Sequence, residues 1–179
     1  CGTELFYNYL RTKNLISERP FFVEQVRRWD TFDWKKTDSL IPKYLDTLTG
    51  VLGLSKFVES FTEKLKNKDV NELNIFNQYE RDLIEYETNK EEKYVYQKTK
   101  QAQLITMDDD KKYVLSFADK TQSILGNCLC EQTPDAECTI MFNMNTSHVS
   151  IRSLEGKDIS SIGKLYNGGG HKNSSGGTR

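Results

Sequence analysis

The chain has 179 residues, 36% hydrophobic and 28% charged, with 25 Lys+Arg against 26 Asp+Glu, the profile of an ordinary globular protein of one or two domains. Its apolar stretches run only a few residues, well short of the roughly 18–20 needed for a membrane span, and mean hydropathy is −0.67. A net charge of −1 and a pI near 6.2 exclude a globally basic nucleic-acid coat, so an anionic ligand needs a local cluster of donors.

The sequence begins at Cys1 without a basic and apolar leader, and is expected to be a piece of a longer protein. Four cysteines, Cys1, Cys128, Cys130 and Cys138, are too few and too unevenly placed for a secreted disulfide framework, which makes a reducing cytoplasm the default localisation.

From Thr3 to Leu65 the apolar residues recur at helical spacing, most clearly Leu54, Phe57, Val58, Phe61 and Leu65. Pro20 is placed to open a helix carrying Phe22, Val23, Val26 and Trp29. A further helix is predicted over 76–101, at about 1.5 Å per residue roughly 39 Å long, and its nearly all-polar stretch from Glu87 to Lys93 places a domain boundary there.

Beyond Gln101 the period falls to two. Leu104 and Ile105, a turn at Asp108, Asp109 and Asp110, and Tyr113 to Phe117 predict a hairpin. Asp119 and Gln122 have the spacing of a capping box ahead of a helix with Ile124, Leu125, Cys128 and Leu129 on one face. Ile140, Phe142 and Met144, then Val149 and Ile151, alternate about a turn at Asn145 to Ser147, which predicts a second hairpin with Ser150 and Arg152 together on its opposite face. Asp158 is placed to cap a short helix with Ile159, Ile162 and Leu165 inward. The expected fold class is α/β of the α+β kind, a helical first part followed by a mixed sheet with helices.

The segment GGGHKNSSGG, from Gly168 to Gly177, is the most informative. Gly168, Gly169 and Gly170 cost conformational entropy and add no packing, which is expected where backbone takes positive φ or a phosphate approaches main-chain N–H groups. His171 offers a donor, Lys172 a charge, and Ser174 and Ser175 hydroxyls or a helix N-terminus. A flexible linker with nothing bound is the competing reading. Cys128, Cys130, Cys138 and His148 have the residue types of a zinc site but match no compact zinc spacing, and buried reduced cysteine is the better expectation. The nine Tyr and nine Phe could include a base-stacking platform, although most fall on apolar helical faces.

The run VSIRS followed by KDISSIGKLYNGGGHKNSSG resembles the C-terminal substrate-binding domain of the DHH phosphoesterases, the superfamily of RecJ, the bacterial oligoribonucleases (nanoRNases) and the cyclic-dinucleotide phosphodiesterases. FFVEQVRRWDTFDW resembles the DTW-type motif that closes the catalytic domain in the oligoribonuclease branch, and CGTELFYNYL the helix before it. The resemblance implies a catalytic-domain closing segment over 1–75, a linker helix over 76–101 and a substrate-binding domain over 102–179, truncated before a further strand. It implies that Asp30 is a metal ligand, that Ser150 and Arg152 contact a phosphate, that His171 is catalytic and closes over the scissile phosphate with Gly168, Gly169 and Gly170, and that Trp34 lies near substrate in an interdomain cleft.

The implied protein is a cytoplasmic hydrolase, an exonuclease on short single-stranded oligonucleotides or dinucleotides. It uses two Mn²⁺ ions, with Mg²⁺ as an alternative, and engages no membrane; a homodimer is left open. The Asp-x-Asp and Asp-His-His motifs that supply most metal ligands in that family are absent here, and the only two histidines are His148 and His171. The chain alone is therefore expected to be inactive. Alternatives are a cyclic or linear dinucleotide phosphodiesterase, a noncatalytic nucleotide-binding module, and an inorganic polyphosphate binder.

Overall fold

The computed structural model describes residues 1–67, 69–108 and 110–178. Its described residues form seven α-helices, one 3₁₀ turn and one six-stranded mixed sheet, the α+β class expected. The chain divides into two compact units, 1–88 and 89–179. The division falls inside a single 24-residue helix rather than at either end of it.

The first unit is helical: α1 (Gly2–Thr12), α2 (Phe21–Asp30), a 3₁₀ turn (Asp33–Lys36), α3 (Ile41–Leu52) and α4 (Leu54–Lys66). Pro20 sits at the α2 N-cap in extended conformation, where its missing N–H costs nothing. The core joins Ile41, Leu45 and Leu48 of α3 to Phe57 and Phe61 of α4 and to Ile75, Phe76 and Ile84. The rings of Phe57 and Phe61 stack at 4.4 Å, as residues one turn apart can. The helical face of α4 is narrower than its sequence pattern suggests: Leu54 and Val58 are 68% and 51% exposed.

Helix α5 (Gln78–Gln101) begins with a reciprocal cap. Asn77 Oδ1 accepts from the Glu80 N–H at 2.9 Å, and the Asn77 N–H donates to Glu80 Oε2 at 2.8 Å. This capping box satisfies two helix-end N–H groups at once. Glu80 is 4% exposed, and its charge is met by the Lys64 ammonium, which also donates to the Ile75 carbonyl at 3.0 Å and lies over the Phe61 ring.

The second unit carries the sheet. Strands β1 (Gln103–Thr106) and β2 (Lys112–Phe117) form the first expected hairpin; of its three turn aspartates, Asp109 lies outside the described residues. Helix α6 (Gln122–Gln132) then crosses to β3 (Cys138–Asn143), which pairs parallel to β2, as a connection carrying a helix allows. β4 (His148–Arg152) returns antiparallel to β3. After α7 (Ser160–Lys164), β5 (Gly169–His171) and β6 (Ser174–Thr178) close the unit, and the sheet order is β1-β2-β3-β4-β6-β5. GGGHKNSSGG is thus neither a loop nor a tail. It is a tight antiparallel hairpin, and Ser174 and Ser175 open a strand rather than a helix.

Period-two alternation gives the sheet two cores. Val114 and Met141 pack with Leu125 and Leu129 of α6 on one face, while Cys138, Val149 and Ile151 pack with Ile159, Ile162 and Tyr166 on the other. Two local expectations change. Asp119 does not cap α6: the N-cap is Thr121, without a side-chain cap, because the Asp119 carboxylate instead accepts from the Tyr94 hydroxyl of α5 at 2.6 Å. Asp158 does bind the Ser160 N–H at 3.0 Å, but α7 is so short that Leu165 turns outward, 79% exposed.

Glu80→Ala should destabilise the chain by about 3 kcal/mol in urea or thermal melts, since it strands the Lys64 charge and the Asn77 N–H. A second test concerns Glu24 of α2, which receives Arg19, Arg27 and Arg28 at 2.8–3.0 Å. Its hydrogen bond from Arg27 leads the causes that hold its carboxyl at about 2 against an ordinary 4.5. A depressed carboxyl contributes stability fully above its unfolded value and loses it as pH falls through the folded one. Melts should therefore weaken between pH 4.5 and about 2, and Glu24→Gln should lower stability at neutral pH and flatten that window.

Candidate phosphate-binding site

Strand register gathers part of the expected site. His171 of β5 pairs with Ser174 of β6, which pairs with Arg152 of β4. One row further, Gly169 pairs with Gly176 and Gly176 with Ser150. Directly paired residues share a face, so His171, Ser174 and Arg152 form one row and Gly169, Gly176 and Ser150 the next. Strands lie about 4.8 Å apart, which separates the His171 and Arg152 backbones by roughly 10 Å. Helix α6 packs against this face at β3 and β4, whereas α7 lies on the opposite face, with Gly163 against Ser175. Beyond β4 the face is open: Gly169 and His171 are exposed, and Ser174 and Gly176 half-buried.

Arg152 is the unusual member. Its guanidinium donates to the Ile151 carbonyl and to Ser123 Oγ of α6, both at 2.9 Å. No carboxylate among the described residues pairs with it, and burial pushes its pKa down. A desolvated cation without a counter-charge is costly, and an anion bound beside it would relieve that cost. Ser150 is 5% exposed and spends its proton on Gln122 Oε1 at 2.9 Å; in this arrangement it fixes the first turn of α6 rather than offering a donor outward. Ser175 is likewise occupied, donating to the Ile159 carbonyl at 3.0 Å.

The glycines divide by role. A Cβ on Gly168 would stand 2.0 Å from the Gly176 carbonyl oxygen, and one on Gly170, at φ +149°, would stand 2.3 Å from that of Ser174. These two are needed so that the hairpin backbone can close on itself. A Cβ on Gly169 would meet nothing within 4 Å, so Gly169 alone of the three leaves an open surface. Sequence reasoning passed over Gly126, whose Cβ would meet Met141 Cε at 2.6 Å and Arg152 Cγ at 2.7 Å. It lets the Arg152 stem pass beneath α6. A glycine inside an otherwise helical pattern was the available signal. Ser123 and Gln122 were also missed as partners of the strand, since nothing in their spacing shows which side chain lies opposite.

Asp30 and Trp34 belong to the first unit. Asp30, at the end of α2, is exposed and lines a cavity of about 210 Å³ with Gln25, Trp29 and Asp46. Among the described residues no group of three or more His, Cys, Asp or Glu is arranged to hold a metal ion, so the residues present do not by themselves form a two-metal centre. Trp34 is 7% exposed, stacked on Trp29 at 5.4 Å, with its indole N–H buried and unpartnered; packing leaves it little free face for a base. The four cysteines are free. Burial pushes the Cys138 thiol up to about 12, the behaviour of a structural thiol rather than a zinc ligand.

No protein-family model matches the chain. It is 29% identical over 182 aligned positions to oligoribonuclease NrnB of Bacillus subtilis (strain 168), covering 98% of this chain and 44% of that protein. That similarity agrees with the resemblance to the oligoribonuclease branch read from the motifs. The chain spans less than half the length of that relative. Among solved structures it is similar to an uncharacterized protein from Helicobacter pylori G27, at 21% identity and a TM-score of 0.39, covering 91% of this chain and 43% of that one. It is also similar to an exopolyphosphatase-related protein from Bacteroides fragilis, at 15% identity and a TM-score of 0.32, covering 74% and 42%. No helix among the described residues is long and apolar enough to cross a membrane.

Gly126→Ala should push the Arg152 stem aside and weaken inorganic phosphate binding by roughly tenfold, the value of one charge-assisted hydrogen bond. Titration followed by NMR shifts of the β4 and β6 amides checks this, with unchanged circular dichroism as the control for folding.

Proposed function

We propose that this chain supplies the phosphate-binding surface of a phosphodiesterase that hydrolyses short oligonucleotides. One observation carries the reading: a half-buried guanidinium, Arg152, without a carboxylate partner among the described residues, in the same sheet row as an exposed imidazole, His171. The likeness to an oligoribonuclease supports the choice of substrate. In the adjoining row, Gly169 and Gly176 keep the floor low beside Ser174, so a phosphate can approach the strand backbone.

In this reading Arg152 binds the phosphate as a planar fork whose orientation Ser123 sets. His171 donates a ring N–H to a nonbridging oxygen and opposes the charge that develops there during cleavage. Lys172, exposed beside it, adds attraction without geometric demand. Manganese dependence, with Asp30 as one ligand and Mg²⁺ as a substitute, rests on the motif resemblance, and no step is assigned to the metal here. The chain alone is read as binding without turnover. A dinucleotide phosphodiesterase remains the nearest alternative, because contacts to phosphate do not distinguish substrates by base. Exonuclease action, from either end of the oligonucleotide, and a cytoplasmic location belong to the same proposal, which a homodimer would also accommodate.

The deciding experiment uses the longer parent protein with the 179-residue chain as control, on 5′-labelled dinucleotides and short RNA. His171→Ala should lower kcat by about 10²–10³-fold, the usual effect of removing one such donor. Arg152→Lys should raise KM with less effect on kcat. Unchanged kinetics in both variants would remove this face from the active site.

A further inference from the structure

The open face of the sheet carries a second imidazole. His148 is the first residue of β4 and pairs with Asn143 of β3 and Thr178 of β6. Alternation along β4 puts it on the same face as Ser150 and Arg152. The rows on that face therefore run His148 with Thr178, then Ser150 with Gly176 and Gly169, then Arg152 with Ser174 and His171. The glycine floor lies between two rows that each carry a histidine. The His148 ring reaches toward it, with Nε2 standing 3.5 Å from the point that a Cβ on Gly176 would occupy. No side chain can take that point, which is also 2.4 Å from the Val149 carbonyl oxygen. Nδ1 lies 3.4 Å from the Thr178 hydroxyl in an exposed contact, and Nε2 has no hydrogen-bond partner among the described residues. The residue is half-buried rather than enclosed, so a ligand on the floor can meet its ring.

We propose that His148 is a second phosphate contact, taking the phosphate next along an oligonucleotide from the one held by Arg152 and His171. The separation suits that role. Gly176 and Ser174 are two residues apart on β6, about 7 Å at the usual rise of a strand, and one nucleotide of sugar–phosphate backbone spans such a gap. Thr178 sets the donor: when its hydroxyl donates to Nδ1, the ring proton sits on Nε2, which then donates to a nonbridging oxygen over the floor. The bare glycine backbone lets that oxygen come close. The consequence is a preference for length. An oligonucleotide with two successive phosphates engages both rows, whereas a dinucleotide with one phosphate engages a single row. Contacts to phosphate carry no base information, so the preference ignores sequence. This inference deepens the proposed function and rests on it for the placement of the first phosphate.

Calorimetric titration of the 179-residue chain with ApA, which has one phosphate, and with ApApA, which has two, reads the preference directly. ApApA should bind about tenfold more tightly, the value of one further charge-assisted contact. His148→Ala should remove most of that advantage while weakening ApA far less. His148→Gln, whose amide nitrogen reaches the place of Nε2, should keep most of it, a rescue that a merely structural role would not produce. Replacing either ApApA linkage by a neutral methylphosphonate should reduce the unaltered chain to its affinity for ApA and cost His148→Ala little more, which ties the effect to phosphate rather than to the third base. An advantage that survives His148→Ala, equal weakening of both ligands, or indifference to the methylphosphonate would each overturn the proposal. Should His148→Ala fail to fold, the ring nitrogen shifts of His148 in the unaltered chain decide: they should move with ApApA and not with ApA, and a ring unmoved by ApApA would overturn it. Arg152→Gln separates the two readings. Binding of ApA that depends on Arg152, with no selective effect of His148, would sink this inference alone; binding that ignores Arg152, or no binding of either ligand, would sink the proposed function and this inference with it.

Discussion

Strand β4 is the constraint on which the second unit depends. Its central residues alternate, and each face serves a different purpose: Val149 and Ile151, 3% and 0% exposed, close the core under α7, while Ser150 and Arg152 face α6. A slip of one residue in its pairing would exchange these sets and bury nothing useful on either side. The same register fixes β6 and β5, because Arg152, Ser174 and His171 are joined only through consecutive pairings. The candidate site is thus a by-product of correct sheet assembly. It needs no loop to be ordered separately, which favours a preformed geometry.

Arg152 shows how the unit reconciles a charge with a core. Its stem lies against Gly126, where a helix would otherwise place a methyl group, and its head is steadied by neutral oxygens rather than by a carboxylate. A carboxylate would have stabilised the resting protein more and left less affinity for an incoming anion. The first unit handles its buried charge the opposite way. Glu80 is fully matched by Lys64 and by the N–H of Asn77, so it holds the α5 cap and is unavailable for chemistry.

Much of this was legible in the sequence because it depends on period and punctuation. Alternation in β2, β3 and β4, the helical spacing around Phe57 and Phe61, and the long polar helix all follow from local pattern. The polar face of β4 could also be read, since Ser150 and Arg152 are two residues apart. What escaped was partnership across the fold. Asp119 and Gln122 have capping-box spacing, yet a tyrosine 25 positions away captures the aspartate and Ser150 captures the glutamine. Glycines in GGGH invited a ligand-contact explanation for all three, whereas two of them are fixed by the opposing strand of their own hairpin. Gln25 sits within an amphipathic helix whose pattern does not reveal that its amide oxygen is buried without a partner.

The order of the sheet also sets a schedule for folding. Helices α1 to α4 are held largely by contacts between neighbours in sequence, the kind that form fastest. The second unit must close a parallel β2–β3 pair across α6, and β4 gains its outer neighbour only from residues 174–178. During synthesis at about 5–20 residues per second, the edge of β4 therefore stays uncovered until the hairpin after α7 has emerged. For that interval an apolar strand is open to pairing with other chains, whereas the short, glycine-rich β5, which lies outermost beyond β6 among the described residues, is poorly suited to recruit them.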